Sequence, residues 1–376
     1  MGILIAAVAL FVGYGAAYLA SDDVRYLSRA GLEQTRILQK RKPLEQMLRD
    51  TTIPARDRAF LQLVLDVREH AAAIGLEAKN TYTAYTDVGR DTLLLSLTGS
   101  RKDCICPVTW KYPIVGRVPY KGFFDVGMAE REATKWAERG YDISLRPAAA
   151  YSTLGWFNDP LLSTALVRDS VELAALVFHE IAHNTLYVKS ATPFNESAAQ
   201  MIGYRAAEEF FRGRGDSIRA DRARDRWLDE IVLAEYYREL IDTLTTFYDS
   251  KPEGAALDEG RAAIGRWSKD RLEGPIGARL RTYQVARLAE RPINNAQLVG
   301  VLIYRTHLDW FERWYQQHGG EVARSVAELI KLMEGAEGSA AFERLAAAIG
   351  VDPAAAASEL SGLPGPDSVL PERAAP

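Results

Sequence analysis

The segment VELAALVFHEIAHNTLYV, residues 171–188, decides the fold. It contains His179-Glu180-Ile181-Ala182-His183, an HExxH motif on an otherwise apolar run. Residues four positions apart share one face of an α-helix, because the helix has about 3.6 residues per turn. Two imidazoles can therefore bind one zinc ion, and Glu180 can reach a water molecule beside that ion. The segment predicts a helix that carries a metal site.

A third ligand is expected, because a catalytic zinc ion has three protein ligands and one open position. Glu196 follows His183 by thirteen residues, in Asn195-Glu196-Ser197 at the start of a second helical pattern, and it is the ligand that we favour. Asn195 is the expected N-cap of that helix. The chain has no HxxGxxH extension, which disfavours a three-histidine site. The alternative ligands are Glu172, Glu208, Glu209, His307 and His318.

Zinc on His179, His183 and Glu196 would suit the hydrolysis of peptide bonds. Glu180 is the expected general base, which takes a proton from water and passes it to the leaving amine. One alternative is that both histidines are core residues of a buried helix, which the i, i+4 spacing with a glutamate between them disfavours. Another is a peptidase-like scaffold that binds metal and a partner without efficient catalysis. The intact Glu180 argues against that scaffold.

Transition-state stabilisation requires a hydrogen-bond donor that points at the developing oxyanion. Tyr304 is the catalytic candidate, and His307, Tyr151 and Tyr204 are alternatives. Core packing is the alternative role for each of these aromatic side chains, and for each one taken alone it is the role that we favour.

A possible substrate strand precedes the metal helices. It comprises Tyr151, Ser152, Thr153, Leu154 and Gly155. An exposed strand beside the metal could pair with an extended peptide by β-augmentation. A buried strand that ends in a Gly-Trp turn is the alternative.

The periodicity along the chain predicts an α+β fold that is mostly helical, with a small, mainly antiparallel sheet before the HExxH helix. The predicted strands are 82–85, 92–97, 108–114, 118–124 and 142–152. The predicted helices outside the metal site are 24–49, 54–75, 128–139, 159–167, 216–250, 258–291, 295–317, 325–333 and 341–349. Breaks are expected at Pro43 and Pro275, because proline interrupts a helix.

Five regions are predicted from these patterns. They are a membrane anchor or signal segment (1–20), N-terminal helices (21–75), a zincin-like catalytic region (76–250), a C-terminal helical region (251–351) and a disordered tail (352–376).

The composition is that of an ordinary globular protein, with 48% hydrophobic and 26% charged residues. A net charge of −4 gives no electrostatic reason to expect nucleic acid as a partner. Two cysteines, Cys104 and Cys106, are too few for a disulfide scaffold. They could form a local disulfide or half of a metal site, but we favour ordinary residues in an extended segment.

Residues 3–20 form an uncharged apolar run that is just long enough to span a bilayer as a helix. We therefore expect attachment to a membrane through this segment. A signal peptide cleaved after Ala17 and a buried core helix are the alternatives. Six basic residues follow the run between positions 25 and 42, which by the positive-inside rule would keep that side cytoplasmic.

Several stretches together resemble the bacterial family of predicted zinc aminopeptidases. They are YTAY (82–85), YKGFFD (120–125), AYSTLGWFNDPLL (150–162), FHEIAH (178–183) and FNES (194–197), and the resemblance runs over about 26–334. It implies a gluzincin-like metallopeptidase that acts on peptides, with zinc on His179, His183 and Glu196 and with Glu180 catalytic. It also implies a place in the bacterial cell envelope, with the catalytic region outside the cytoplasmic membrane. Family members usually carry a lipidated cysteine near the mature start, and this chain has no cysteine before Cys104.

Overall fold

The computed structural model describes residues 2–112, 116–148, 160–166 and 169–352. These residues form a mostly helical α+β fold, which confirms the predicted fold class. The division into five regions stays a prediction. The strand predicted at Tyr151–Gly155 and nearly all of the predicted tail lie outside the described residues.

The described residues contain fourteen α-helices. They are α1 (Gly2–Ala20), α2 (Asp22–Gln39), α3 (Leu44–Arg49), α4 (Ala55–Ala73), α5 (Val126–Glu138), α6 (Ser170–Thr185), α7 (Thr192–Gly213), α8 (Ser217–Asp249), α9 (Gly254–Arg271), α10 (Val285–Ala289), α11 (Asn295–Tyr304), α12 (Leu308–Gln317), α13 (Val322–Met333) and α14 (Ala340–Ala348). A π-helical turn at Leu272–Ile276, which contains Pro275, ends α9 as the sequence predicts.

The eight described strands form three small sheets instead of the single predicted sheet. They are β1 (Lys42–Pro43), β2 (Ala84–Thr86), β3 (Leu94–Ser100), β4 (Trp110–Tyr112), β5 (Gly116–Val118), β6 (Lys121–Phe123), β7 (Asp142–Ala148) and β8 (Leu161–Leu162). The order β6-β3-β7 is antiparallel throughout, and β4 pairs with β5 antiparallel. In the order β1-β2-β8, β1 is antiparallel to β2 and β8 is parallel to it.

The helix predicted over 159–167 is wrong. Leu161 and Leu162 instead form β8, and both side chains are buried. A short apolar run does not distinguish a buried strand from a buried helix. Here the free edge of β2 provides hydrogen-bond partners, because Ser163 N also donates to Thr86 O at 3.0 Å. This pairing fixes the chain shortly before α6 begins.

The single helix predicted over 295–317 is also wrong, because the chain turns between α11 and α12. His307 has a φ of +53°, in the left-handed region that interrupts an α-helix. Two contacts hold the turn. Arg305 pairs with the buried Glu230 of α8 at 2.7 Å, and the His307 ring stacks on Trp310 with the ring centroids 3.6 Å apart.

Three groups of buried side chains form the interior. The largest joins α4, α6 and α7 to the C-terminal helices α12–α14, with Phe178, Phe194 and Phe311 among its fully buried members. A second group lies between α8, α11 and the segment around α10. A third, under α5, contains Leu97 and Phe123 from the β6-β3-β7 sheet. The metal-site helices therefore lie within the largest apolar core.

Cys104 and Cys106 are joined by a disulfide, so the expectation that they are ordinary residues of an extended segment is wrong. Their Cα atoms are 5.2 Å apart, a separation that a disulfide can bridge. Ile105 between them is buried against the core of α8 and α11. Asn295 Nδ2 donates to the Cys104 carbonyl at 3.1 Å. These contacts hold the short loop in the bend that brings the two sulfurs together.

The N-terminal apolar run forms α1, and Ser21 caps the helix that follows it. Within the part of the chain that the structure describes, no helix is long and apolar enough to cross a membrane, so the predicted transmembrane helix is not found. Two glycines and two tyrosines interrupt the apolar character of residues 11–20.

Candidate metal centre

Helix α6 carries the HExxH motif, and its position is fixed by an N-cap and by a buried apolar face. Its N-cap is Asp169, whose carboxylate accepts hydrogen bonds from Val171 N at 3.0 Å and from Glu172 N at 3.4 Å. The apolar face of α6 is buried almost completely in the largest core, including Val177, Phe178 and Ile181. The opposite face holds His179, Glu180 and His183, which are only partly buried. The amphipathic pattern thus orients the three polar side chains away from the core.

A tight connection returns the chain from α6 to α7. Helix α7 begins at Thr192, with Pro193 in its first turn, so the helix starts earlier than predicted. Asn195 is therefore not the N-cap. Its buried side chain instead accepts a hydrogen bond from Val188 N and donates one to Val188 O, both at 2.8 Å. This amide clamps the α6–α7 connection one residue before Glu196.

Gly203 lets α7 approach α6 closely behind the candidate ligands. A Cβ atom at this position would lie 2.7 Å from the Ala175 carbonyl oxygen and 3.4 Å from His179 Cβ. The first distance is shorter than real Cβ contacts, and the neighbour is backbone that cannot swing aside. A larger residue here would push α7 away from the helix that carries His179.

His179, His183 and Glu196 converge on one point, and they are the described residues that could hold a metal ion. The two Nε2 atoms are 3.1 Å apart. Glu196 Oε2 lies 3.3 Å from His179 Nε2, and Glu196 Oε1 lies 3.7 Å from His183 Nε2. Zinc with bonds of about 2.0–2.1 Å in a tetrahedral site separates neighbouring ligands by about 3.3 Å. The observed spacing therefore fits the donor set that zinc takes.

Burial and mutual charge shift the pKa values of these three groups. Burial opposes protonation of His179, but the hydrogen bond to Glu196 and the charges of Glu180 and Glu196 outweigh it and raise the pKa of His179. Burial and the neighbouring His179 lower the pKa of His183 to about 4. Burial opposes ionisation of Glu196, yet its contacts with both histidines lower its pKa. The set therefore favours a carboxylate beside at least one neutral imidazole.

The alternative third ligands are occupied elsewhere. Glu172 accepts from Tyr204 and pairs with Arg226, and Glu208 pairs with Arg205 and Arg212. Glu209 accepts from Val322 N and from the Tyr315 hydroxyl. His307 stacks on Trp310, and His318 lies against Trp314. Only Glu196 among the candidate third ligands joins the two histidines of the motif.

Of the candidate oxyanion donors, Tyr304 is the one whose pKa is affected by the charges of the centre. The pKa of its phenol is raised, first by loss of surrounding water and then by the charges of Glu196 and Glu180. The residue still keeps 43% of its surface exposed at the end of α11. Tyr204 is buried and donates to Glu172 at 3.1 Å, while Tyr151 lies outside the described residues.

Two exposed tyrosines near the centre were missed as site residues. Burial and then the charge of Glu196 raise the pKa of Tyr120, which also interacts with Tyr187. Tyr120 lies just before β6, and Tyr187 follows the end of α6. Tyr120 belongs to the YKGFFD stretch of the family resemblance, which was the available signal. Tyr187 lies four residues after His183, so its place beside the motif was the available signal.

Comparison with known families gives one match. A family model described as "Putative aminopeptidase" matches residues 25–342, close to the 26–334 over which the resemblance was expected. No curated protein and no solved structure matches the chain.

Proposed function

Because the chain belongs to the putative aminopeptidase family, we propose that it is a zinc-dependent peptidase whose metal ligands are His179, His183 and Glu196. The observation that carries the proposal is the convergence of two imidazole nitrogens and one carboxylate within 3.7 Å of one another. Two nitrogens and one oxygen around an open position are the donor set of a catalytic zinc site. When bound there, zinc would polarise the scissile carbonyl and make water more acidic.

Glu180 is the proposed general base. It follows His179 directly on α6 and is only partly buried, so it can reach solvent beside the ligands. Its charge helps to raise the pKa of both His179 and Tyr304, which supports a role for Glu180 at the same centre. In this role Glu180 takes a proton from the attacking water and transfers it to the leaving amine.

Tyr304 is the proposed hydrogen-bond donor to the oxyanion. A donor must be neutral to act in this way, and the raised pKa of Tyr304 keeps its proton on the phenol. The position of Tyr304 at the end of α11 leaves the side chain open to a bound substrate. A substrate strand at Tyr151–Gly155 stays part of the proposal and would deliver the extended peptide to this side.

The cell envelope is the proposed location, with the N-terminal segment in contact with a membrane. Apolar side chains of α1 are exposed, including Phe11 at 78% and Leu19 at 81%, and exposed apolar surface of this kind favours a lipid or protein contact. Fractionation of cells that express the full chain, or the chain without residues 1–20, tests this location. Release of the protein by the truncation is the expected result.

Cleavage of a peptide library by the full chain tests the function. The wild-type protein should hydrolyse library members, and Glu180→Gln should lower kcat by roughly a hundred- to ten-thousand-fold, the usual contribution of a general base. The control is Glu209→Gln, because Glu209 accepts hydrogen bonds from Val322 N of α13 and from the Tyr315 hydroxyl of α12 and is not one of the three residues that meet at the centre. Equal cleavage by the wild type and Glu180→Gln would refute the mechanism.

The same library identifies the peptide bond that is cut. Release of single N-terminal residues would support aminopeptidase action, whereas internal fragments would identify an endopeptidase. N-terminally acetylated peptides serve as the control, because an aminopeptidase requires a free ammonium group on its substrate.

A further inference from the structure

The last turn of α6 carries His183 close to the end of the helix. Helix α6 ends at Thr185, two residues after His183. The last carbonyl groups of an α-helix have no partner within the helix, and terminal turns fray unless other groups bind them. His179 lies one turn earlier, inside the regular helix. The orientation of His183 therefore depends more on the groups that bind the end of α6.

A loop at residues 77–82, between α4 and β2, binds this end of the helix. Lys79 Nζ donates to the Asn184 carbonyl oxygen at 3.2 Å. The Asn184 side-chain amide donates to Thr81 Oγ1 at 2.7 Å and to the Glu77 carbonyl oxygen at 3.2 Å. Asn184 is thus bound to the loop through both its backbone and its side chain, and it directly follows the second histidine of the motif.

The 77–82 loop is itself fixed by α4. The Arg68 guanidinium of α4 donates to three backbone carbonyl oxygens of the loop, those of Ala78, Lys79 and Thr81. Helix α4 also packs directly on α6, where the His70 ring lies edge-on to Phe178 with the ring centroids 5.9 Å apart. The loop therefore joins the end of α6 to a helix that already supports its apolar face.

The backbone of this loop is strained at two positions that are not glycine. Lys79 has a φ of +41° and Tyr82 a φ of +56°, in the left-handed region that is unfavourable for residues with a Cβ atom. Such conformations persist where the surroundings enforce them, and they concentrate near functional sites. Tyr82 is buried and opens the YTAY stretch of the family resemblance, for which the proposed chemistry has no role. Support of the metal helix gives this stretch a role.

We propose that Asn184 is a positioning residue, which fixes the last turn of α6 so that the His183 imidazole is held toward the metal. This inference rests on the proposed function. Asn184 is not one of the three residues that meet at the centre, so it acts through the helical turn that it shares with His183. Loss of its amide should leave His179 and Glu196 in place and allow His183 to move.

The zinc affinity of the full chain tests this role without requiring catalysis. Asn184→Ala should weaken zinc binding roughly ten-fold, at the lower end of the losses caused by removing groups that orient metal ligands. Competition with a chromophoric chelator measures the affinity. The matched control is Asn80→Ala, which should bind zinc like the wild type. Asn80 is an exposed asparagine of the same loop, and its side chain forms no hydrogen bond within the described residues.

The partner Thr81 separates loss of the amide contact from a general loss of packing. Thr81→Val removes the hydroxyl group that accepts from Asn184, whereas Thr81→Ser keeps it. The valine variant should weaken zinc binding, but less than Asn184→Ala, because the amide still reaches the Glu77 carbonyl. The serine variant should bind zinc like the wild type. Combining Thr81→Val with Asn184→Ala should cause no further loss, because both changes remove the same contact.

The visible absorption spectrum of bound Co²⁺ reports the geometry of the ligands, which a merely structural role of Asn184 would not change. The zinc-free full chain is loaded with Co²⁺ for this measurement. Asn184→Ala should alter the absorption bands, and Asn80→Ala should keep the wild-type spectrum. These spectra therefore show whether the change reaches the metal ligands.

Three outcomes would overturn the positioning role. They are unchanged zinc affinity in Asn184→Ala, an unchanged Co²⁺ spectrum in that variant whatever its affinity, and a Thr81→Ser protein that binds zinc as weakly as Thr81→Val. If Asn184→Ala does not fold, the two Thr81 variants decide by the same measurements. Failure of the proposed function is recognised separately, because the wild type would then bind no zinc and the inference would fall with its premise.

Discussion

Histidines lie away from open solvent, partly or fully buried, in two very different settings in this molecule. At the centre between α6 and α7, the Nε2 atoms of His179 and His183 are 3.1 Å apart, and Glu196 lies within 3.7 Å of both. At the turn between α11 and α12, His307 is 3% exposed and stacks on Trp310 with the ring centroids 3.6 Å apart. Burial is common to both settings, but the neighbours differ.

The difference shows what distinguishes a candidate metal ligand from a core histidine. At the centre, each partly buried imidazole lies beside the Glu196 carboxylate and beside a second imidazole that points at the same position. At the α11–α12 turn, burial is combined with apolar rings, and together with the charge of Arg238 it lowers the pKa of His307 to about 3. His307 is therefore a neutral packing residue, and its earlier candidacy as a ligand or oxyanion donor finds no support in its position.

The largest expected effect comes from removing one ring from each setting. His183→Ala should reduce peptide cleavage by at least as much as loss of the general base, which is worth roughly a hundred- to ten-thousand-fold. His307→Asn should leave kcat/KM unchanged, and asparagine tolerates the left-handed backbone at this position. Steady-state kinetics on one peptide measures both variants. A comparable loss in His307→Asn would break the distinction between the two settings.

A smaller effect is expected from the glycine that supports the metal centre. Gly203→Ala places a methyl group 2.7 Å from the Ala175 carbonyl oxygen, so it should lower the free energy of unfolding by about 1–3 kcal/mol and weaken cleavage. Gly300→Ala on α11 is the control, because nothing lies within 4 Å of its added Cβ. Alanine should be neutral or stabilising there. Denaturant unfolding measures both, and equal stability of the two variants would contradict the close packing of α6 and α7.

The smallest expected effect is the contribution of His307 to the pH dependence of the free energy of unfolding. Its folded-state pKa of about 3 lies below the unfolded value of about 6.5, so the unfolded chain binds the proton first. The contribution is complete above about pH 6.5 and is lost as the pH falls toward 3. As the pH falls from 7 to about 5.5, the protein should lose about 1 kcal/mol of this contribution.

Unfolding of the wild type and of His307→Asn at both pH values checks this contribution. The variant should lose about 1 kcal/mol less than the wild type on acidification, whatever its stability at pH 7. The same pH dependence in both proteins would show that His307 is not kept neutral by its surroundings.

The centre could be predicted from the sequence because its determinants are local. The i, i+4 spacing places His179 and His183 on one helical face, and Glu196 lies on the next helix after a short connection. The role of Asn195 could not be predicted, because an asparagine early in a helix is usually a cap. Here the helix starts at Thr192, and the amide is free to clamp Val188.

The errors in the predicted fold occur where distant contacts override local preference. The turn at His307 depends on the pair between Arg305 and Glu230, which are 75 residues apart. Strand β8 depends on pairing with β2, whose Tyr85 lies opposite Leu161. Periodicity contains no information on either contact.

Metal analysis of the purified full-length chain tests the central claim most directly. We expect one zinc ion per chain in the wild type and in His307→Asn, and none in His183→Ala. A wild-type protein without zinc, or a His183→Ala protein that keeps it, would contradict the claim that His179, His183 and Glu196 form the metal centre.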